Sequence, residues 1–422
     1  MTSKTHIVSA PTYAAQFACI GGACPQTCCA GWSVDIDKSN YKEIKKIKAS
    51  PGLMKKISQH IRPVEGSTST TQYARVQMLA DESCPMLNEA KLCDIQSELG
   101  EELLSKTCRF YPRSINALPQ RREMYLTLSC PEAARLCLTQ TAEWAHQDLD
   151  THVPKGKPIP VRVLGGDMQQ VQTQVLLNSF DLLRDFMLYC IQYQGAPLWH
   201  RIMVVGLTLK KITSATTEQW MQKDFIEGVI LPIKLDLITG AFSAELEQNI
   251  DMTGKSTMQA RFIQAMTDLR VMMIAPHKKQ LFSPQFSELV MRSFDAYNQL
   301  AQENKETVQA HLSEALAGFE AQAPRFFENY LCNAVGKDSS LFCDPAQLEK
   351  VWLKISLRLA LLRFYLKGLS ASPQGLSTEE AIRMVYTFSK VIEHNSLYEK
   401  TVSDLLKEEQ MDGMASVAIM LA

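Results

Sequence analysis

Apolar positions follow two different periods along this chain. In the first 150 residues they come in short, mixed runs. Trp32, Val34 and Ile36 alternate with polar or small neighbours, the period of a half-buried strand. From Ser39 to Ala49 the apolar residues Tyr41, Ile44 and Ile47 share one helical face, and Lys42, Lys45, Lys46 and Lys48 read as its solvated side rather than a binding patch. Pro51-Gly52 is expected to break that helix, with a second helical piece from Leu53 to Ile61. Gly66 to Thr71 is a polar loop, and Tyr73–Leu79 and Met124–Leu128 are predicted strands. Ser97–Thr107 reads as a helix with Gly100 as its weak point. Ser129-Cys130-Pro131-Glu132 has the form of a helix entrance, a short polar residue and then Pro near the first turn, with a helix predicted to about Gln147.

Beyond this the pattern changes. Thr151–Pro160 holds Pro154, Gly156, Pro158 and Pro160, which excludes regular helix, and Gly165-Gly166-Asp167 extends the irregular stretch. From Met168 onward helical spacing dominates, as in Leu176, Phe180, Leu183 and Met187. Asp344-Pro345-Ala346-Gln347 supplies an N-cap, a Pro at the first helical position and a Gln two residues later, before a leucine-rich helix to about Leu366. Ser377-Thr378-Glu379-Glu380 is a second capping box, opening a helix to about Glu393. No repeat of fixed period is present. The predicted fold class is α+β and predominantly α: a small cysteine-rich, metal-binding domain over residues 1–150, then an all-α domain over 161–422.

Composition narrows the function. The 422 residues carry 46% hydrophobic and 21% charged residues, an ordinary globular balance. A net charge of −1 argues against bulk nucleic-acid binding, which needs excess cations. No apolar run approaches the ~18 residues of a membrane span. Met1–Tyr13 holds Lys4, His6 and Pro11 without a continuous apolar stretch, so no secretory signal and a cytoplasmic location are expected.

The 12 cysteines are unevenly spread. Cys19-x4-Cys24-x3-Cys28-Cys29 lies in a loop with Gly21, Gly22, Pro25 and Gly31. Cys84-Pro-x7-Cys93-x14-Cys108 follows, then Cys130. A reducing compartment keeps thiols unpaired, so this density points to metal or redox chemistry rather than disulfides. Soft thiolates select zinc, copper(I) or an iron–sulfur cluster. Eight thiols exceed one tetrahedral site: either two centres exist, or some thiols support the ligands or act as redox partners. Cysteines can also be small core hydrophobes, but vicinal Cys28-Cys29 and the Cys84-Pro85 loop are poor core positions. Cys137, on the face of Cys130 one heptad later, is expected to be a packed thiol, and Cys190, Cys332 and Cys343 core or surface filler. The eight histidines are scattered, with no His-x3-His pair, and there is no phosphate loop or Gly-x-Ser-x-Gly elbow.

These motifs carry a resemblance. Phe17-Ala18-Cys19-Ile20-Gly21-Gly22, Cys28-Cys29-Ala30-Gly31-Trp32, Cys84-Pro85-Met86-Leu87, Cys93, Cys108-Arg109-Phe110-Tyr111-Pro112-Arg113 and Leu128-Ser129-Cys130-Pro131-Glu132-Ala133-Ala134-Arg135 together resemble the flagellin lysine-N-methylase family, FliB. The Cys-Cys and Cys-Arg-x-Tyr-Pro elements are also similar to the YkgJ-type zinc- or iron-chelating cysteine-cluster proteins. The resemblance implies a cytoplasmic bacterial enzyme that methylates lysine ε-amino groups of flagellin with S-adenosylmethionine. It implies that Cys19, Cys24, Cys28, Cys29, Cys84, Cys93, Cys108 and Cys130 hold a metal centre of the [4Fe–4S] type, with zinc as the alternative, and that the helical domain docks flagellin.

Methyl transfer to an amine requires a deprotonated lysine, an in-line methyl group and exclusion of water. The glycine-rich strand–turn–helix of doubly wound methyltransferases is absent, and so is the Cys-x3-Cys-x2-Cys signature of radical enzymes: Cys24-x3-Cys28 begins it, but Gly31 stands at the third position. A donor site beside the cluster is the remaining expectation. Arg109 and Arg113 are candidates to bind cluster sulfurs or the donor carboxylate, weighed against surface ion pairing. Tyr111 and Tyr125 are candidates to orient the lysine amine, weighed against packing, and Trp32 to cover the cluster. Glu132 is explained by its place in a helix's first turn. The alternative to an enzyme is a non-catalytic iron–sulfur or zinc module joined to a helical protein-interaction domain.

Overall fold

Asp37 and Ser50 set the first two substantial helices. The Asp37 carboxylate accepts the Asn40 amide at 2.9 Å and opens helix Lys38–Lys46. The Ser50 hydroxyl accepts the Leu53 amide and opens helix Pro51–His60. Pro51-Gly52, expected as a break, is therefore the second helix's first turn. Proline's fixed φ suits that position, and the N–H it lacks would have no intrahelical partner there.

The computed structural model describes residues 4–30, 33–118, 121–153, 161–163, 171–249, 258–267, 283–303, 308–338, 344–394 and 396–421. The chain forms two compact units, Met1–Ala133 with Gln147–Arg162, and Ala134–His146 with Val163–Ala422. The strands are β1 (Lys4–Pro11), β2 (Asp35–Ile36), β3 (Ile61–Pro63), β4 (Ala74–Val76), β5 (Arg113–Ala117), β6 (Arg122–Leu126), β7 (His146–Val153) and β8 (Val161–Val163). One sheet has the order β7-β1-β6-β5-β8, the other β2-β4-β3. In the first, β5 and β6 form an antiparallel hairpin with Arg113 opposite Leu126, and β1 runs parallel to β6 with Ser9 opposite Glu123. In the second, Ile36 faces Ala74 and Ile61 faces Val76.

The small sheet and the two capped helices share one core of Ile36, Ile44, Leu53, Ile57, Ile61 and Val76, joined by Met86, Ile95 and Leu104. Cys84, Cys93 and Cys108 pack half-buried against it. An apolar core thus fixes the backbone from which three of the thiols project.

Several predicted elements are corrected. Ser97–Thr107 is not one helix. Gly100, at φ +82°, ends helix Asp94–Leu99; a 3₁₀ turn over Glu101–Leu103 follows, then helix Lys106–Phe110. That φ suits glycine and stops an α-helix. The helix from Pro131 ends at Leu138 rather than near Gln147, because the chain from His146 is claimed by β7. The strand predicted over Tyr73–Leu79 narrows to β4, and Met124–Leu128 shifts to β6. Trp32, Cys343, residues 154–160 and Gly165-Gly166-Asp167 lie outside the described residues.

The second unit is built on long helices. Helix Pro345–Ser370 starts at Asp344, whose carboxylate accepts the Ala346 amide, and runs past Leu366. It buries Trp352, Leu359, Leu362, Tyr365, Leu366 and Leu369. A Cβ at its Gly368 would lie 2.6 Å from the carbonyl oxygen of Ser293, so helix Pro284–Glu303 approaches there backbone to backbone. Helix Thr378–His394 opens at Ser377, whose hydroxyl accepts the Glu380 amide. Leu176, Phe180, Leu183 and Met187 are all buried, as their spacing predicts. Cys137 is a packed thiol directed at the Asn329 carbonyl, and Cys190 and Cys332 are buried. Predominantly helical content agrees with the predicted α+β, mainly α class. Among the described residues no helix is long and apolar enough to cross a membrane.

Candidate functional site

Cys19, Cys24, Cys28, Cys29, Cys84, Cys93, Cys108 and Cys130 all line one cavity of about 270 Å³ in the first unit. Local chemistry brings each of them there. The 3₁₀ turn Gly21–Ala23 carries Cys19 and Cys24 on its flanks, with Gly21 at φ +55°. A Cβ on Gly22 would sit 2.7 Å from the Ala90 carbonyl oxygen, so this turn lies directly on the Asn88–Leu92 loop. Thr27 accepts the Cys29 amide, and the Cys29 carbonyl accepts the Cys84 amide at 2.8 Å. A bridge between Ala30 and Ser83 continues the junction. Cys93 bridges Leu87, and Asp94 is pinned beside it by Lys56 (2.5 Å) and Asn88 (3.1 Å). The Ser105 hydroxyl accepts the Cys108 amide. Cys130 precedes helix Pro131–Leu138, and the amides of Glu132 and Ala133 point at its sulfur.

Burial raises the thiol pKa of Cys24, Cys84 and Cys93, and pushes Cys108 and Cys130 up to about 12. Cys29 is raised first by its hydrogen bond with Cys28, then by burial and by the negative charge of Cys28, Cys108 and Cys84. Desolvation and like charge both favour the neutral thiol. A bound cation would reverse that preference and release protons.

The electrostatic neighbours also sort the sulfurs. Cys29 and Cys108 each feel Cys84, and Cys108 and Cys84 each feel Cys93. Cys130 feels Cys24, and Cys24 feels Cys19. Cys28 acts on members of both sets. Among the described residues no three His, Cys, Asp or Glu side chains are gathered tightly enough to hold a single ion.

Arg109, Arg113 and Tyr111 line the same cavity. Arg109 lies over the Phe110 ring at 4.9 Å, and its Nε and Nη1 are buried with no hydrogen-bond partner among the described residues. Burial lowers its pKa, opposed by Glu101 and Asp37. Arg113 lies over the Phe17 ring at 5.3 Å and keeps an exposed side chain. The Tyr111 hydroxyl is 3.2 Å from Ser129 Oγ, which is 3.3 Å from Thr127 Oγ1, so three hydroxyls form a row. Tyr125 is not brought to the cavity. It is fully buried on β6, and its hydroxyl donates to Glu123. Glu132 is: it is buried, lines the cavity, and its charge raises Cys24. In the sequence its helix-start position accounts for it without chemistry. The available signal is its place two residues after Cys130.

The FliB lysine N-methylase C-terminal domain family matches residues 184–420, more than half of the chain. The lysine-N-methylases of Salmonella choleraesuis (strain SC-B67) and Salmonella typhimurium (strain LT2) are each 23% identical over 399 residues, covering 93% of this chain and 93% of theirs. The flagellar biosynthetic protein FliU of Salmonella muenchen is 30% identical over 130 residues, 31% of this chain and 75% of that protein. No solved structure matches. This chain belongs to the FliB lysine N-methylase family.

Proposed function

We propose that this protein is a protein-lysine N-methyltransferase that transfers the methyl group of S-adenosylmethionine to lysine ε-amino groups of flagellin, in the cytoplasm, and depends on an iron–sulfur centre of the [4Fe–4S] type held by its cysteines. The observation that carries the reading is the meeting of eight cysteines from separate segments around one cavity. The family and the relatives named lysine-N-methylase support the reaction. The name of FliU supports a flagellar substrate.

The residues fit such a centre on three counts. The donors are soft thiols. One zinc takes four sulfurs at about 2.3 Å, and eight thiols line this cavity of about 270 Å³, which leaves room for a polynuclear group. The buried, unpartnered guanidinium nitrogens of Arg109 supply donors for sulfur or carboxylate acceptors. When bound, the centre supplies an iron position that can engage the donor's amino and carboxylate groups.

The chain's own groups cover the remaining requirements. The incoming ammonium must lose a proton before its nitrogen can attack. Glu132 and Glu101 are the carboxylates that line the cavity, and Glu132, buried beside Cys130, is placed to take it. Tyr111, held in the hydroxyl row with Ser129 and Thr127, can orient the amine toward the methyl group. Arg109 and Arg113 bind the donor carboxylate.

The test is protein purified without oxygen, assayed for iron, zinc and acid-labile sulfide, then incubated with S-adenosylmethionine and flagellin and read by peptide mass spectrometry. Matching iron and sulfide with donor-dependent lysine methylation is the expected result. Zinc without sulfide, or methylation that survives cysteine-to-alanine loss of the metal, overturns the cluster. Fully loaded protein that methylates nothing and binds no donor overturns the enzyme and leaves a non-catalytic module.

A further inference from the structure

We propose that Lys91 is a methylation site of the protein itself, modified within its own chain at the cysteine-lined cavity, a step that rests on the methyl transfer proposed above. Lys91 is the one lysine among the described residues that line this cavity. It stands two residues before Cys93, in the Asn88–Leu92 loop.

That loop is tightly built. The Asn88 amide donates to the Leu92 carbonyl at 2.9 Å, and the Lys91 amide donates to the Asn88 carbonyl at 3.0 Å. Asn88 Oδ1 accepts the Leu92 amide at 3.0 Å, while Asn88 Nδ2 donates to the Asp94 carboxylate that Lys56 also holds. On its other side the loop meets the glycine turn between Cys19 and Cys24: a Cβ on Gly21 would lie 3.2 Å from the Leu92 side chain. Lys91 is therefore fixed between two cysteine segments.

The turn holds Lys91 at φ +58°. That left-handed region suits glycine, and a residue with a side chain is strained there. Glycine would close the turn without strain and leave no amine at the cavity. Strain of this kind gathers at functional sites. The side chain of Lys91 is exposed, and its ammonium has no ion-pair or hydrogen-bond partner among the described residues. Lys56 and Lys106, by contrast, are committed to Asp94 and Asp37. Nothing in the fold occupies the Lys91 amine, and its flexible four-carbon stem is anchored at the cavity wall.

The step balances with groups already at the cavity. The ammonium gives one proton to Glu132 or Glu101. The freed lone pair on Nζ forms the new N–C bond to the donor methyl as the S–C bond breaks. The sulfur keeps that electron pair, the nitrogen takes the positive charge, and S-adenosylhomocysteine leaves. Attachment to the cavity replaces an encounter between molecules by a reaction within one, which favours Lys91 over lysines elsewhere on the chain.

The experiment uses the full-length protein purified without oxygen and S-adenosylmethionine carrying a deuterated methyl group. One arm contains no flagellin and the other contains it, and peptide mass spectrometry reads every lysine. The label is expected on Lys91 at about tenfold or more the level on Lys42, Lys46 and Lys48, which are exposed and away from the cavity. Its initial rate per chain is expected to be independent of protein concentration, and the corresponding peptide of K91R is expected to carry none. Methyl groups present before incubation count only where a variant inactive on flagellin lacks them. Labelled flagellin with Lys91 unlabelled, or labelled no more than the surface lysines, overturns the self-methylation and leaves the enzyme standing. A rate per chain that rises with protein concentration shows transfer between copies and overturns a step within one chain. Label on neither flagellin nor Lys91 overturns the methyltransferase reading and this site with it.

Discussion

The amide of Cys84 donates a 2.8 Å hydrogen bond to the carbonyl of Cys29. This bond and the Ala30–Ser83 bridge join two cysteine segments that are 55 residues apart in the chain, 84 against 29. Cys29 thereby enters the group of Cys84, Cys93 and Cys108, three thiols that rest on the small-sheet core. Cys19, Cys24 and Cys130 form the other group, and Cys28, next to Cys29 in the chain, acts on both. If each group of thiols holds a centre of its own, in place of the single centre proposed, Cys93→Ser and Cys130→Ser each remove only part of the bound metal, and different parts. Iron, zinc and sulfide measured per chain on the two variants and their double check it. Complete loss in either single variant would make all eight thiols one site.

A pH dependence follows from the raised thiols. Cys108 and Cys130 hold their protons to about 12 in the folded, metal-free chain, whereas an unfolded cysteine gives its proton up near 9. Above about pH 9 the unfolded state therefore binds fewer protons than the folded one, and stability falls as pH rises toward 12. Below about 9 both states are protonated and these groups contribute no slope. Urea midpoints of the metal-free protein across this range measure it. The same thiols must lose protons to bind a cation, so loading in weak buffer is expected to acidify the solution.

Gly22 gives a local test of the cavity. Its missing Cβ would lie 2.7 Å from the Ala90 carbonyl, a backbone atom that cannot swing aside. Gly22→Ala must push the Cys19–Cys24 turn away from the Asn88–Leu92 loop. Metal content is expected to drop while the thermal melting of the second unit, followed by its helical signal, stays unchanged.

What the sequence shows of this fold depends on how local the cause is. The openings at Asp344 and Ser377 are legible because a cap, a proline and a helical period sit within a few residues. The eight cysteines are legible because their density has no ordinary packing explanation. β1 is not legible. Val8, Ala10 and Pro11 are its buried described side chains, too few to set a pattern, and its pairing partner β6 lies more than a hundred residues on, with Ser9 opposite Glu123. The end of helix Pro131–Leu138 carries no glycine or proline, and the strand that follows decides it. The places of Tyr125, buried on β6, and Glu132, at the cavity, are not legible for the same reason: burial on a sheet and exposure to a cavity are tertiary facts.

Within the second unit, Arg201 and Glu328 form a buried ion pair at 2.8 Å. Glu328 also accepts from Gln194, and Arg201 also donates to the Ile191 carbonyl. Removing one charge leaves the other buried without its counter-ion. Glu328→Gln is expected to cost about 3 kcal/mol or more in urea unfolding, and Arg201→Met with Glu328→Leu to cost much less than Glu328→Gln alone.

Arg109 separates recognition of the donor from support of the fold. Two of its guanidinium nitrogens are buried at the cavity with no hydrogen-bond partner among the described residues, so the chain already bears the desolvation of those nitrogens without a compensating hydrogen bond. Arg109→Met removes that penalty, and the fold is expected to be as stable or slightly more so. If the guanidinium binds the donor's carboxylate, as proposed, S-adenosylmethionine affinity should fall by about ten- to a hundredfold, the value of one or two charge-assisted hydrogen bonds. Arg109→Lys keeps the charge but loses the planar fork and should fall between the two. Calorimetric titration with S-adenosylmethionine gives the affinities, and urea unfolding of the same variants gives the stabilities. A methionine variant that binds the donor normally but shows a shifted visible absorption or reduction potential would move Arg109 from the donor to the sulfurs of the centre. A variant that merely unfolds would make it a packing residue, held by its stacking over Phe110.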